Sequence, residues 1–233
     1  MTTTARSLTL FSALAVRKAY DDGLLDAFEA ASGTPVTAVF DPTVPLLRRI
    51  EAGEAFDVLV AVTGSLAPLA ERGVIDPATR TAVARTGVGL AVPPGAPHPD
   101  VSTRAAFVSA LRAARSVAYS RTGASGIYFA RLLEDLGIAE EVNSRATVID
   151  KGFTAEAVVD GRADIAIQQM SELLFVPEAE IVAPLPDEVQ HHTEFSVALS
   201  AAASSDPGAR ALLTHLSGDR AAAAYRRTHL EVM

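Results

Sequence analysis

A stretch near the amino terminus, LTLFSALAVRK (residues 8–18), reads as a strand that passes through a turn of small residues into a helix. Residues 8–11 have the length and apolar character of a buried strand. A strand-to-helix turn leaves the first helical N–H groups unpaired, and the helix dipole adds partial positive charge there, so the turn suits an anion. The helix is indicated by apolar residues at helical spacing: Tyr20, Leu24, Leu25 and Phe28.

Four residues of this stretch could contact an anion. Ser12 and Ala13 occupy the turn, where small side chains let a ligand approach the backbone. Arg17 and Lys18 follow in the first helical turn, where cations are unfavourable unless a negative group faces them. A solvated helix start is the alternative explanation of the two cations.

Composition excludes several classes of function. The 233 residues suffice for one large α/β domain or for two lobes of roughly 100 residues each. A net charge of −8 argues against a nucleic-acid surface, so no nucleic-acid partner is expected. The absence of cysteine removes disulfides, thiolate nucleophiles and cysteine-ligated metals. Any anion site must therefore be a local positive feature of an acidic protein.

The amino-terminal apolar segment superficially resembles a signal peptide, because Ala-Leu-Ala could form a cleavage site. Residues 8–16 are short for such a signal, only Arg6 precedes them, and their removal would delete the first strand. No stretch approaches the roughly 20 apolar residues of a membrane span. We therefore expect a cytoplasmic protein, or a periplasmic or extracellular one if a leader has been removed.

Strands and helices alternate over the first part of the chain, which is typical of a parallel sheet with right-handed crossovers. Further strands and helices are predicted at residues 36–40, 46–53, 56–62 and 65–70. Ligands of such open sheets bind beyond the carboxyl ends of the strands. Ser12, Thr43 and Thr63 fall at those ends.

A Pro-rich loop at residues 93–99 separates this part from a second alternating set. Strands are predicted at residues 88–92, 117–119, 147–149, 165–168, 181–183 and 195–199. Helices are predicted at residues 102–114, 125–136 and 154–159, and two more begin near residues 206 and 218. Gln168 and Gln169 at a strand end are unusual, because two amides there need partners, which a ligand could supply.

Four segments in register resemble the periplasmic-binding-protein type II fold, in particular the molybdate-binding-protein-like family of ABC transporter substrate-binding proteins and its aconitate isomerase relatives. The segments are LTLFSALAVRKAY, RRIEAGEAFDVLVAV with RGVIDPATR, TGASGIYFARLLEDLG and GRADIAIQQMSE. The resemblance implies two α/β lobes, each a mostly parallel sheet flanked by helices, with a ligand cleft between them. Lobe one would comprise residues 1–89 and 191–233, and lobe two residues 90–190.

The resemblance also places anion-contacting turns on residues 12–15, 41–44 and 124–127, with further contacts near Lys151 and at Gln169. Together with the residues already named, it gives these candidate ligand-binding residues: Ser12, Ala13, Arg17, Thr43, Val44, Ser125, Gly126, Ile127, Lys151, Gln168 and Gln169. The chain departs from the molybdate binders, because Ala15 replaces a serine and Gln169 replaces a tyrosine. Those oxyanion donors select a tetrahedral dianion, whereas arginine and amides suit a carboxylate.

Three functions fit a carboxylate ligand. The first is an enzyme like the aconitate isomerases, which would shift an allylic proton along an unsaturated di- or tricarboxylate. The second is a solute-binding protein that delivers an organic anion, or a molybdate-like oxyanion, to an ABC permease. The third is a cytoplasmic metabolite sensor without chemistry. We favour the isomerase because the amino terminus argues against export.

An isomerase needs a group that moves one proton. The candidates are Lys18, Tyr128 and His192, with Asp41 and His191 as alternatives. Each has a structural explanation as well: Tyr128 could pack, Asp41 could stabilise a turn, and the two histidines could be solvated. The histidine pair lacks a third ligand at metal spacing, so neither a metal site nor a cofactor is expected.

Overall fold

The computed structural model describes residues 6–150 and 152–233, and these form two compact units. Unit one contains the described residues up to 85 together with residues 194–233, and unit two contains residues 86–193. The predicted lobe boundaries, at residues 89/90 and 190/191, stay a prediction.

The first part of the chain alternates strands and helices as the sequence predicts. Its elements are β1 (Leu8–Ser12), α1 (Leu14–Ala19), α2 (Leu25–Ser32), β2 (Val36–Phe40), α3 (Thr43–Glu51), β3 (Val58–Val62), α4 (Leu66–Glu71) and β4 (Thr81–Val92). Short 3₁₀ turns at Thr63–Ser65 and Pro77–Thr79 precede α4 and β4.

The middle part builds unit two. Its elements are α5 (Arg104–Ala113), β5 (Val117–Ser120), α6 (Ala124–Asp135), α7 (Ala139–Asn143), β6 (Thr147–Ile149), α8 (Glu156–Val159), β7 (Ile165–Gln169), α9 (Met170–Leu173) and β8 (Glu180–Pro184). The chain then returns to unit one through β9 (His192–Leu199), α10 (Pro207–Ser217), α11 (Asp219–Arg227) and β10 (Glu231–Val232).

The sheet of unit one has the order β2-β1-β3-β9, and β10 pairs with the first half of β4. β1 is parallel to both neighbours, whereas β9 is antiparallel to β3. Successive residues of β3 enter opposite cores: Val58 and Val60 pack with α1, α2, α10 and α11, and Leu59 and Ala61 pack with α3 and α4. Helices therefore cover both faces, which explains the continuous apolar run in this strand.

Unit two repeats this arrangement with the strand order β6-β5-β7-β4, and β8 also pairs with β4. β5 is parallel to β6 and β7, and β4 is antiparallel to β7. Val117 and Tyr119 of β5 pack with α5, α6 and α7, and Ala118 packs with α8 and α9. The carboxyl ends of β5 and β7 therefore meet at one edge, where α6 and α9 begin.

Two predicted elements differ from the structure. The first predicted helix is interrupted: a π-helical turn at Tyr20–Leu24 separates α1 from α2, and Gly23 adopts φ 102°, a left-handed conformation that favours glycine. The strand predicted at residues 88–92 begins at Thr81, because the first half of β4 pairs with β10 and the second half with β7. The short elements α7, α9 and β10 are absent from the sequence-based prediction.

Candidate functional site

The start of α6 presents unpaired backbone donors. The hydroxyl of Ser120 accepts hydrogen bonds from the N–H groups of Thr122 (3.3 Å) and Gly123 (3.0 Å), which shapes the loop after β5. The first bond within the helix runs from the N–H of Ile127 to the carbonyl of Gly123, at 3.0 Å. The residues between Gly123 and Ile127 are Ala124, Ser125 and Gly126. Among residues 6–150 and 152–233, no acceptor faces the backbone N–H groups of these three residues.

The Ser125 hydroxyl lies among these donors. The residue is 1% exposed, and its Oγ atom has no hydrogen-bond partner in the part of the chain that the structure describes. A buried hydroxyl without a partner costs about 1–3 kcal/mol, so such groups are rare unless a ligand completes them. One hydroxyl and three N–H groups at the start of a 12-residue helix are the kind of donors that an anion requires.

Gly126 lets α6 approach β5 closely enough to build this site. A Cβ atom at position 126 would lie 1.8 Å from the backbone oxygen of Ser120. Only glycine fits that spacing. The predicted ligand contact of Ile127 stays a prediction, and it would have to use the side chain, which is 51% exposed, because the N–H is bonded within the helix.

Gln169 ends β7, the strand beside β5, at the same edge of the sheet. It is 2% exposed, and its amide has no partner among the described residues. Gln168 has a different role: its Oε1 atom accepts hydrogen bonds from the N–H (2.8 Å) and the hydroxyl (3.0 Å) of Thr154. The predicted ligand contact of Gln168 stays a prediction, and its side chain lies on the face opposite that of Gln169, because adjacent strand residues alternate.

Sequence reasoning missed Glu172, a buried carboxyl group in α9. Burial raises its pKa from 4.5 to about 7, and a hydrogen bond with Gln168 partly opposes that shift. The only sequence feature that could have indicated it is its position three residues after the two glutamines.

In unit one, the turn after β1 differs from the prediction. Ala13 donates its N–H to the carbonyl of Val60, at 2.8 Å, so that this N–H is not available to a ligand, and the predicted ligand contact of Ala13 stays a prediction. Ser12 is fully buried, and its hydroxyl donates a hydrogen bond to the carbonyl of Ala13 (3.3 Å). This turn therefore offers fewer donors than the start of α6.

Arg17 and Lys18 both have carboxylate partners one helical turn away. The Nε atom of Arg17 lies 3.0 Å from Asp21, and its guanidinium lies 5.1 Å from the centre of the Phe40 ring. The Nζ atom of Lys18 lies 2.5 Å from Asp22. A ligand carboxylate would compete with these aspartates, so the structure weakens the predicted clamp without testing it.

The second predicted turn forms the start of α3, a nine-residue helix. The Thr43 hydroxyl accepts a hydrogen bond from the N–H of Val62, at 3.2 Å. The N–H groups of Thr43 and Val44 have no acceptor in the described residues. Asp41 precedes them, but Arg49 pairs with its carboxylate at 3.2 Å. This helix start could also bind an anion.

Two of the remaining predicted residues, Tyr128 and His192, are among those that the structure describes. Tyr128 donates its hydroxyl to the carbonyl of Val189 (2.8 Å), stacks on His191 with 4.6 Å between ring centres, and burial raises its pKa. Those contacts do not favour Tyr128 as a base. His192 lies exposed at the start of β9, and Lys151 lies outside the described residues.

Comparison with known proteins places this geometry in a family. The model of the bacterial extracellular solute-binding protein family matches residues 8–231. The chain belongs to this family. An aconitate isomerase from Pseudomonas sp is 32% identical over 211 residues, which cover 88% of this chain and 80% of the isomerase.

Two molybdate-binding proteins are also similar. The molybdate-binding protein ModA of Escherichia coli (strain K12) is 23% identical over 225 residues, which cover 94% of this chain and 87% of ModA. The periplasmic molybdate-binding protein of Azotobacter vinelandii has a TM-score of 0.78 at 17% identity, covering 96% of this chain and 98% of that one. The solute-binding family member described here thus has the predicted two-unit periplasmic-binding-protein type II fold.

The family member has no helix, among the residues described, with the length and apolar character needed to cross a membrane. Nor do the described residues group three or more His, Cys, Asp or Glu side chains as a metal ion would require.

Proposed function

We propose that the chain binds an organic anion of the di- or tricarboxylate type at the start of α6 and isomerises it by an allylic proton shift. The buried Ser125 hydroxyl among three unpaired N–H groups carries the binding proposal. The 32% identical aconitate isomerase supports the chemistry. A carboxylate fits because it accepts up to four hydrogen bonds and is stabilised by the helix dipole.

The amide of Gln169 favours an organic anion over a tetrahedral oxyanion. It both donates and accepts, whereas a fully ionised oxyanion offers acceptors only. An organic acid with a hydroxyl or protonated carboxyl group could use both ends of the amide. Gln169 lies at the edge that also carries α6, so its amide is available to such a ligand.

The proposed reaction moves one proton and no other atom. A base removes a proton from the methylene carbon next to the double bond, and the electron pair delocalises into the conjugated carboxylate. The proton then returns to the other end of the allylic system. The N–H groups of Ala124, Ser125 and Gly126 would stabilise the charge that develops on the carboxylate oxygens. Lys18 and His192 remain the residues predicted to transfer the proton.

A non-catalytic receptor is the second candidate function. The family description and the similarity to ModA favour it. In that case the same helix start would bind the anion for delivery to an ABC permease. The side chains of Arg17, Lys18 and Gln169 would then determine the affinity for the anion and would not take part in a reaction.

Ser125→Ala is expected to weaken binding of cis- and trans-aconitate about ten- to a hundredfold, because a hydrogen bond to a charged group is lost. The unfolding temperature should not fall, since the substitution removes a buried hydroxyl that has no partner in the ligand-free fold. Titration calorimetry and thermal unfolding measure the two effects separately.

Ser109→Ala is the matched control. Ser109 is also a helical serine of unit two, but it lies within α5 and its hydroxyl donates to the carbonyl of Ala105 (3.0 Å). Its substitution should leave the affinity unchanged. Equal affinities of the wild type and Ser125→Ala would contradict the site, and heat released with molybdate alone would favour the oxyanion receptor.

A further inference from the structure

The imidazole ring of His191 lies against the helix that carries the proposed site. It stacks on the Tyr128 ring, with 4.6 Å between ring centres and 17° between ring planes. Tyr128 follows Ser125 by three residues, so the two lie on one side of α6, about 4.5 Å apart along the helix axis. Because helical side chains tilt towards the amino terminus of their helix, the Tyr128 ring leans towards the unpaired donors.

A second set of contacts ties His191 to the strand beside β7. The Oε1 atom of Gln190 accepts hydrogen bonds from the N–H groups of Val88 (2.8 Å) and His191 (2.9 Å). Val88 of β4 is the ladder partner of Gln169. Both side chains lie on the α6 face of the sheet, because Val88 packs in the core with α6, as does Ile167 two residues before Gln169. His191 is therefore linked to both elements that carry the proposed site.

The ring nitrogens of His191 are available to a ligand. Within the described residues, neither nitrogen has a hydrogen-bond partner, and the residue is exposed. Partial burial lowers the pKa of His191, and the neighbouring His192 lowers it further. The ring is therefore uncharged near neutral pH, and one of its nitrogens can accept a proton.

Two other candidate bases are already occupied. The Lys18 ammonium group pairs with Asp22, at 2.5 Å, and would have to leave that carboxylate to reach a ligand. The Tyr128 hydroxyl donates its proton to the carbonyl of Val189, at 2.8 Å, and burial raises its pKa. That hydrogen bond fixes the Tyr128 ring, which is the surface on which His191 stacks.

We propose that His191 transfers the proton in the allylic shift, and that Tyr128 is a positioning residue that holds the imidazole ring beside the start of α6. This inference rests on the proposed function. A neutral nitrogen of His191 takes the proton from the methylene carbon: the C–H bond breaks, an N–H bond forms, and the electron pair enters the conjugated system. The N–H bond then breaks as the proton passes to the carbon at the other end of the allylic system, which restores the neutral ring.

His191→Gln tests the proton transfer. Glutamine is polar and similar in size, but its amide does not accept a proton near neutral pH. At saturating trans-aconitate, we expect isomerisation and deuterium uptake to slow at least about a hundredfold, while the Kd from titration calorimetry stays within about threefold. His98→Gln is the control: His98 is an exposed histidine of the same unit that pairs with Glu180, and its substitution should keep the wild-type rate.

Two substitutions of Tyr128 test the positioning role. Phenylalanine keeps an aromatic ring for His191 and loses the hydrogen bond to Val189, whereas leucine removes the ring. Tyr128→Leu should lower kcat about tenfold with little change in KM, and Tyr128→Phe should stay within about twofold of the wild-type kcat. Equal kcat values for the leucine variant and the wild type would contradict the positioning role.

Deuterium uptake separates failure of this inference from failure of the proposed function. If the wild type converts aconitate and His191→Gln keeps its rate, the inference alone is overturned. A loss of rate confined to His192→Gln would likewise overturn it and would assign the proton transfer to His192. A wild type that shows neither conversion nor deuterium uptake would overturn the proposed isomerase function, and the role of His191 with it.

Discussion

Gly126→Ala is expected to lower the free energy of unfolding by about 3 kcal/mol and to abolish anion binding. A Cβ atom there would lie 1.8 Å from the oxygen and 2.6 Å from the carbon of the Ser120 carbonyl. Backbone atoms cannot move aside as a flexible side chain can, so α6 must shift away from β5. That shift displaces the N–H groups of Ala124 and Ser125 from their present positions. Urea unfolding and calorimetry with trans-aconitate measure both effects.

Gly64→Ala provides the matched control for this substitution. Gly64 also lies between a strand and a helix, its φ is not in the left-handed region, and no atom lies within 4 Å of a Cβ built on it. An alanine there should leave stability unchanged or raise it by up to about 1 kcal/mol, because it restricts the unfolded chain. If both variants lost the same stability, close packing of α6 on β5 would not be the cause.

The stability of the protein is expected to fall as pH rises from 5 to 8, and Glu172 should account for about 3 kcal/mol of that fall. Burial raises the pKa of Glu172 from 4.5 to about 7. Between these values the unfolded chain has lost the proton and the folded chain has kept it, so the unfolded state is favoured increasingly with pH. Above about pH 7 both states are ionised and the contribution levels off.

Urea unfolding at several pH values tests this expectation with the Glu172→Gln variant. The variant should match the wild type near pH 5 and exceed it by about 3 kcal/mol at pH 8, since it carries no charge to bury. Glu178→Gln, at an exposed position in the same unit, is the control and should follow the wild type. Parallel wild-type and Glu172→Gln curves would show that Glu172 ionises normally in the folded state.

The sequence predicted the parts of the fold in which periodicity is strong. The apolar run of β3 and the helical spacing in α6 identified both elements. Periodicity also concealed one break: Tyr20, Leu24 and Phe28 all enter the same core, although Gly23 interrupts the helix between them. Only the backbone conformation of Gly23 reveals the kink.

The site residues stay predictions, and the structure adds which of their polar groups have partners. Ser125 and Gly126 follow from the position of a helix start, but no sequence pattern shows that the Ser125 hydroxyl lacks a partner. Gln168 and Gln169 look alike in the sequence, and only the strand alternation separates a structural amide from one available to a ligand. Glu172 was missed because α9 has four residues, too few for a periodic pattern.

The central claim is that this family member isomerises an unsaturated carboxylate. Proton NMR in D₂O, with purified protein and either cis- or trans-aconitate, tests it directly. Isomerisation predicts that one isomer grows at the expense of the other and that deuterium enters the allylic position, with both changes slowed in Ser125→Ala. Line broadening of aconitate without conversion or deuterium uptake would contradict the claim and would identify a binding protein.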